Sequence, residues 1–322
     1  RMKKNKKRNF IVLGIVIVLV ACITIMLFQV KGEKKEVVET DQNSYRYIKV
    51  DGKDYRYRTN LKTILFLGID TTDETKNQGQ SDAIDLAIFD RDQQKIKIVS
   101  LSRDTMCKIR LFDSEGNDLG WDKQHLGLAY SYGKNRKHGG ILAKDAVSKL
   151  LSDVPLVNYT AFDLNSLQEL QDIIGDMPMV LDGDYIDINP LWKKGKKIVI
   201  NRDNVEEFVR SRNTSKDYSN KTRMQRQKLY IQTYINQLKT KLTNDYSITL
   251  QKMYDFYSKL TTNITLKEID SYAEMILNYS IDNNEYYTLP GEDQKGELHD
   301  EFIVDQKQLK QLVLQLFYEE DK

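Results

Sequence analysis

Two carboxylates and a guanidinium stand at the ends of three apolar runs. Asp70 closes Ile64–Ile69, Asp82 precedes Ala83–Phe89, and Arg103-Asp104 follows Ile96–Ser102. Carboxylates at strand ends beside a guanidinium suit a divalent cation held against a phosphate. Farther along, Val209-Arg210-Ser211-Arg212 is followed by Asp217, Arg223, Arg226 and Gln227. Guanidinium forks bind phosphate oxygens in pairs, so five arginines near element ends suit a pyrophosphate clamp. The plain alternative is charge solvated at loop ends and in surface ion pairs.

The elements that must hold these groups are legible in the apolar pattern. The three runs, rich in Ile, Leu, Val and Phe, read as buried strands. Arg91-Asp92-Gln93-Gln94 joins the last two as a hairpin. Thr222–Leu242 is the longest helix expected, with Ile231, Tyr234, Ile235, Leu238 and Leu242 on its apolar face. Stepping back by four from Ile231 reaches Gln227 and Arg223, so these polar residues continue the buried face. A buried guanidinium needs a carboxylate or an anionic ligand. Helices are also expected at Ile141–Leu151, Ser166–Ile174, Asn204–Ser211, Asn263–Asn278 and Asp305–Tyr318. Strands are expected at Val157–Leu164 and Tyr286–Leu289, and Met179–Ile188 reads as a strand or as a hairpin turning at Asp182-Gly183. Asp113 to Gly140 reads as loop, with Gly139-Gly140 opening a helix as a backbone turn or a phosphate cradle. The fold class is α/β: one layered domain with a central mixed sheet flanked by helices.

The chain has 322 residues and a net charge of +2. Six basic residues lie among the first eight, and no acidic residue occurs before Glu33. The remainder is slightly acidic, which excludes a general nucleic-acid binder by charge. Phe10–Val30 is uncharged and apolar. At about 1.5 Å per residue it spans a bilayer core of about 30 Å. Basic residues before it keep the N-terminus cytoplasmic and put the rest outside, on a single-pass anchor. Leu19-Val20-Ala21-Cys22 offers a lipoprotein cleavage box as the alternative, although the apolar run continues past Cys22. The expected organisation is a tail at 1–9, a membrane helix at 10–30, a polar lead-in at 31–60 with a hairpin at Asp51-Gly52, a catalytic domain at 61–245 and a helical C-terminal part at 246–322. Only Cys22 and Cys107 are present, so no disulfide serves the exterior part, and Cys107 reads as a small buried hydrophobe.

The ordered blocks Leu67-Gly68-Ile69-Asp70, Ser81-Asp82, Ser102-Arg103-Asp104-Thr105, Ala129-Tyr130-Ser131-Tyr132-Gly133, Gly139-Gly140, Arg210-Ser211-Arg212 and Arg223-Met224-Gln225-Arg226-Gln227 resemble the LytR–CpsA–Psr family of cell-envelope enzymes. The similarity runs from about Leu61 to Leu242. It implies a Gram-positive envelope transferase that moves a glycopolymer, such as a teichoic acid or capsule, from undecaprenyl pyrophosphate onto peptidoglycan. Carried over, Asp70 and Asp82 would hold Mg²⁺, or Mn²⁺, against the pyrophosphate. Arg103, Arg210, Arg212 and Arg223 would grip its oxygens, with Gln227, Arg226 and Lys123 beside them. The sequence departs from the family in three places. Gln80 stands where an arginine is usual. Asn220-Lys221-Thr222-Arg223 replaces Asp-Phe-Gly-Arg, which leaves Asp217 as the candidate base for the acceptor hydroxyl. Lys123 sits two residues before the family's lysine. Leu86, Ile88, Val99, Leu142, Ile231 and Ile235 are the expected walls of a lipid channel. The competing expectations are a polyprenyl-pyrophosphate hydrolase and an inert anchored binding or regulatory protein.

Overall fold

The computed structural model describes residues 46–70, 79–163, 165–213, 221–297 and 299–321. The basic tail, the 10–30 span, the first part of the lead-in, Asp217 and Asn220 lie outside the described residues. Among the described residues no helix is long and apolar enough to cross a membrane.

In chain order the strands begin with a hairpin, β1 (Tyr47–Val50) and β2 (Lys53–Tyr57), which turns at Asp51-Gly52. Three long strands follow: β3 (Leu61–Asp70), β4 (Gln80–Asp90) and β5 (Lys95–Leu101). The stretch expected as loop holds a second hairpin, β6 (Met106–Phe112) with β7 (Asp118–His125), and a 3₁₀ turn at Leu126–Tyr132. Helix α1 (Arg136–Leu150) leads to β8 (Asn158–Asp163) and α2 (Asn165–Ile174). Gly175, at φ +72°, ends α2, since the left-handed cap favours a residue without Cβ. Strands β9 (Met177–Val180) and β10 (Lys197–Ile200) pair across a long loop, and α3 (Val205–Arg210) follows. Helices α4 (Lys221–Asn244) and α5 (Tyr246–Tyr257), the short β11 (Thr261–Thr262) and α6 (Leu266–Asn278) come next. Thr265 and Glu268 close a reciprocal capping box at the start of α6. The chain ends with β12 (Tyr286–Thr288), the hairpin β13 (Gly291–Lys295) and β14 (Asp300–Val304), α7 (Gln306–Phe317) and β15 (Tyr318–Glu320).

The central sheet runs β11-β8-β3-β4-β5-β12 and is mixed. Strand β4 is antiparallel to both neighbours, whereas β8 pairs with β3 in parallel and β12 with β5 in parallel. Successive side chains of a strand point to opposite faces. Leu65, Leu67, Leu86 and Ile88 pack on one face against α1 and α7. Ile64, Ala87, Phe89 and Ile98 sit on the other face, under α6. Both faces are therefore buried, which is why these runs read as continuous apolar stretches. Each fully buried Leu or Ile contributes about 1.5–3 kcal/mol.

The hairpin expected at Asp51-Gly52 is present, and it is bonded to the C-terminal strand, with Tyr318 opposite Tyr57. Met179–Ile188 does not turn back on itself at Asp182-Gly183. Its pairing partner is β10, and the intervening loop is pinned by Tyr185 and Trp192, whose rings pack on Phe208. Ser44–Lys322 is one compact unit.

Candidate active site at the mouth of an apolar cavity

Asp82 owes its direction to a break in the β3–β4 ladder. Gly68 faces Ala83 and Ile69 faces Ser81, so Asp82 is the extra residue of a bulge. A bulge bends its strand and re-aims one side chain. Here the carboxylate accepts hydrogen bonds from Arg103 on one oxygen and from Arg223 Nη1, at 3.2 Å, on the other. Arg103 also donates through Nη2 to Gln80 Oε1 at 2.5 Å, and its Nε lies 3.6 Å from Asp104. Arg223 comes from the first turn of α4 and is almost wholly buried. Arg210, the last residue of α3, donates to Asp70 Oδ1 at 3.1 Å and to Glu206. Five segments thus bring Asp70, Asp82, Arg103, Arg210 and Arg223 to one end of the sheet.

The cluster packs its guanidinium groups close together and partly out of water. Burial pushes the Arg223 guanidinium down to about 10, and the nearby charges of Arg212 and Arg103 add to the effect. Arg103 is lowered as well, chiefly by burial and then by Arg212. An anion bridging these groups would relieve the repulsion. Two carboxylates at adjacent strand ends fit a Mg²⁺ of the kind shared with substrate phosphates. They do not make an all-protein cage: among the described residues no group of three or more acidic, His or Cys side chains converges.

Behind the cluster lies a cavity of about 320 Å³. On the same measure a single water needs about 10–15 Å³. The sheet supplies its floor through Ile64, Phe66, Ala83 and Ala87, and α2, α4, α5 and α6 supply its roof. Asp82, Arg210, Arg223 and Gln227 line it at the charged end. Helix α4 presents Arg223, Gln227, Tyr230, Ile231, Tyr234 and Ile235 to the cavity, the stripe that steps of three and four predict. The arrangement suits a ligand with an anionic head and a long apolar tail.

The cluster does not take in every residue singled out above. Arg226 is fully buried, donates to the carbonyls of Phe208 (2.8 Å) and Ser211, and lies over the Tyr185 ring at 5.5 Å. It holds the end of α3 in place rather than facing the cavity, because it falls off the Arg223–Gln227 stripe. Gln227 is on the stripe, and its amide also donates to Val209 O at 3.1 Å. Arg212 is exposed beside the cluster. Lys123 is exposed on β7 opposite Lys108, outside the cavity wall. Gly139 and Gly140 lie inside α1 and cradle no phosphate. A Cβ on Gly139 would meet Tyr130 O at 2.5 Å, and one on Gly140 would meet the Tyr159 ring at 2.0 Å. Of the six expected channel residues, Ile231 and Ile235 line the cavity. Leu86, Ile88 and Val99 have the opposite strand parity and belong to the core under α1 and α7, and Leu142 is buried on α1.

The sequence reading named Gln80 and Asp104 without giving them a bond to an arginine, and it passed over Glu206, which accepts from Arg210. It also passed over Asp85, which lines the cavity and accepts from Ser100. Burial raises the Asp85 carboxyl to about 6. Its signal was present: an acidic residue between Ala83 and Ala87 on one strand face.

Comparison with known proteins places the chain. Residues 23–317 match the LytR_cpsA_psr family. The polyisoprenyl-teichoic acid–peptidoglycan teichoic acid transferase TagU of Enterococcus faecalis is 30% identical over 179 residues, which are 54% of this chain and 53% of that protein. The chain spans about half the length of the curated relatives it matches. Among solved structures, Bacillus subtilis TagV superposes with a TM-score of 0.64 at 19% identity, covering 80% of this chain and 96% of that one. TagT bound to LI-WTA gives 0.60 at 21% identity, covering 80% and 90%. These likenesses show the same mixed α/β fold. The family match spans nearly the whole chain, and the chain belongs to the LytR_cpsA_psr family.

Proposed function

We propose that this protein is a phosphotransferase of the cell envelope that moves an anionic glycopolymer from a polyprenyl pyrophosphate carrier onto peptidoglycan. The observation that carries this reading is the joining of two unlike surfaces: an apolar cavity opens directly onto Asp82, Arg210 and Arg223. A lipid pyrophosphate has that polarity along its length. The TagU name, a polyisoprenyl-teichoic acid to peptidoglycan transferase, and the structure of TagT bound to LI-WTA support the same substrate class for this chain.

In this reading the chain's residues act by position and charge, which supply most of the catalysis in phosphoryl transfer. Arg103 and Arg223 leave Asp82 to grip the pyrophosphate oxygens, and Arg210 does the same from Asp70. Mg²⁺ held by Asp70 and Asp82 would neutralise charge developing on the leaving phosphate. Gln80 takes a neutral role, fixing Arg103 rather than adding a charge. Asp217 is proposed as the base for the acceptor hydroxyl. The apolar run at 10–30 would anchor the domain on the outer face of the membrane.

The test is purified protein with Mg²⁺ and a polyprenyl-pyrophosphate-linked polymer, with and without peptidoglycan. A covalent polymer–peptidoglycan conjugate that is lost in Arg103→Ala is the expected result. Phosphate release without conjugate would indicate a hydrolase, and no product in either arm would indicate a binding protein.

A further inference from the structure

The loop between β9 and β10 carries a surface that the cavity and its mouth do not use. Lys193, Lys194, Lys196 and Lys197 are all exposed, and none has an ion pair among the described residues. Around them stand Leu191, 77% exposed, and Val180, Ile186 and Val199, each about half exposed. The loop is firmly held. Tyr185 N donates to Trp192 O and Gly195 N to Leu181 O, both at 2.8 Å. Trp192 is buried against Phe208 at 5.1 Å between ring centroids. The exposed apolar side chains therefore stand on a rigid base, with Val180 opposite Lys197 in the ladder and Leu191 two residues before Lys193. Exposed apolar groups in one patch mark an interaction surface.

Its place in the fold identifies the partner. Gly183 of this loop lies against Gln225, and Tyr185 lies under Arg226. Both contacts are with the first turns of α4, which also carry Arg223 at the cavity mouth. We propose that this shoulder docks the domain onto a bilayer with anionic headgroups, setting the mouth against the lipid surface. The inference rests on the proposed lipid ligand only for its reason to exist. Lysines near an anionic membrane gain from its surface potential, and Leu191 and Ile186 gain by entering the headgroup boundary. The loop's acids, Asp182, Asp184 and Asp187, keep their charge and lie in its first half, whereas the four lysines are grouped at 193–197, so the attraction belongs to that end of the loop. A soluble anionic polymer would engage the lysines but leave the apolar side chains with nothing to enter.

The test is cosedimentation of the 44–322 unit, which contains all three hydrophobic cores, with vesicles. Vesicles of phosphatidylcholine alone are compared with vesicles containing equal phosphatidylglycerol. Binding to the anionic vesicles is expected, and the combined Lys193, Lys194, Lys196 and Lys197→Gln variant should weaken it by at least about a hundredfold. Leu191→Ser should weaken it further than charge alone explains. The control changes Lys108, Lys267, Lys295 and Lys310 to Gln, an equal change of charge elsewhere on the surface, and should bind as the parent does. Equal loss in the two quadruple variants would overturn the proposal, as would equal binding to both vesicles. Binding to soluble poly(glycerol phosphate) but not to vesicles would overturn it too. Farnesyl pyrophosphate binding without vesicles, unchanged in the loop variant, keeps this result separate from the reading of the mouth.

Discussion

Asp82 carries two guanidinium partners on its two oxygens, and that sharing explains the readiness of the site for an anion. Arg103→Ala and Arg223→Gln should each lower the rate of transfer by about 10²–10³, the cost typical of losing one preorganised donor. Arg223→Lys should recover little, because an ammonium cannot reproduce the planar fork. Rates on a polyprenyl-pyrophosphate-linked polymer check both. Asp85 gives a pH prediction. Its exposed area opens onto the cavity rather than bulk solvent, and its carboxyl is raised from 3.8 to about 6. A raised acid binds more protons folded than unfolded, so stability falls as pH rises through that window. Asp85→Asn should therefore gain at most about 3 kcal/mol above pH 6, and the gain should vanish toward pH 4. Urea unfolding at the two pH values measures it. An apolar chain in the cavity favours the neutral acid, so its binding should weaken above pH 6 in the parent and not in Asp85→Asn.

The elements do their work through parity and period. The bulge opposite Gly68 turns Asp82 toward the arginines, and no feature of the sequence marks which residue is the extra one. The α4 stripe was legible, because a period of 3.6 fixes which side chains share a face. Arg226 looked like part of the clamp from composition alone, yet one hundred degrees of helix per residue turn it toward α3. Arg226→Met should cost about 1–3 kcal/mol for each carbonyl left without its donor, and should loosen Arg210. Thermal unfolding and pyrophosphate affinity would both register it. Gly140→Ala should destabilise by about 1–3 kcal/mol through contact with the Tyr159 ring. Tyr159→Leu in the same chain should recover part of that loss, although it leaves a void.

At the scale of the molecule, the sheet is covered on both faces by helices, and one of them, α7, is remote in sequence from the strands it packs on. The cover at α7 was visible as an amphipathic segment. Its partner face was not, since Leu309, Val313 and Phe317 meet the sheet across most of the chain's length. The strand ends and the arginines were legible because they are local. The β6–β7 and β13–β14 hairpins were not: β7 and β13 are polar and exposed and lack the alternation that a buried face imposes, and the alternation of β6, with Cys107 and Ile109 buried and Lys108 and Arg110 exposed, was missed among the glycines. The assignment of Leu86 and Ile88 to the channel failed on one residue of parity. Removing residues 305–322 should uncover the face under α7 and abolish cooperative unfolding of the 44–322 unit, as followed by circular dichroism. A truncated unit that unfolds as sharply as the parent would show that α7 is dispensable.

The joining of an apolar cavity to an arginine-lined mouth is tested most directly by calorimetric titration of the 44–322 unit. Farnesyl pyrophosphate, farnesol and inorganic pyrophosphate are compared on the parent and on Arg223→Gln. Tight binding of farnesyl pyrophosphate alone, weakened at least about tenfold by the substitution, is the predicted result. Equal affinity for farnesol, or no change in Arg223→Gln, would contradict it.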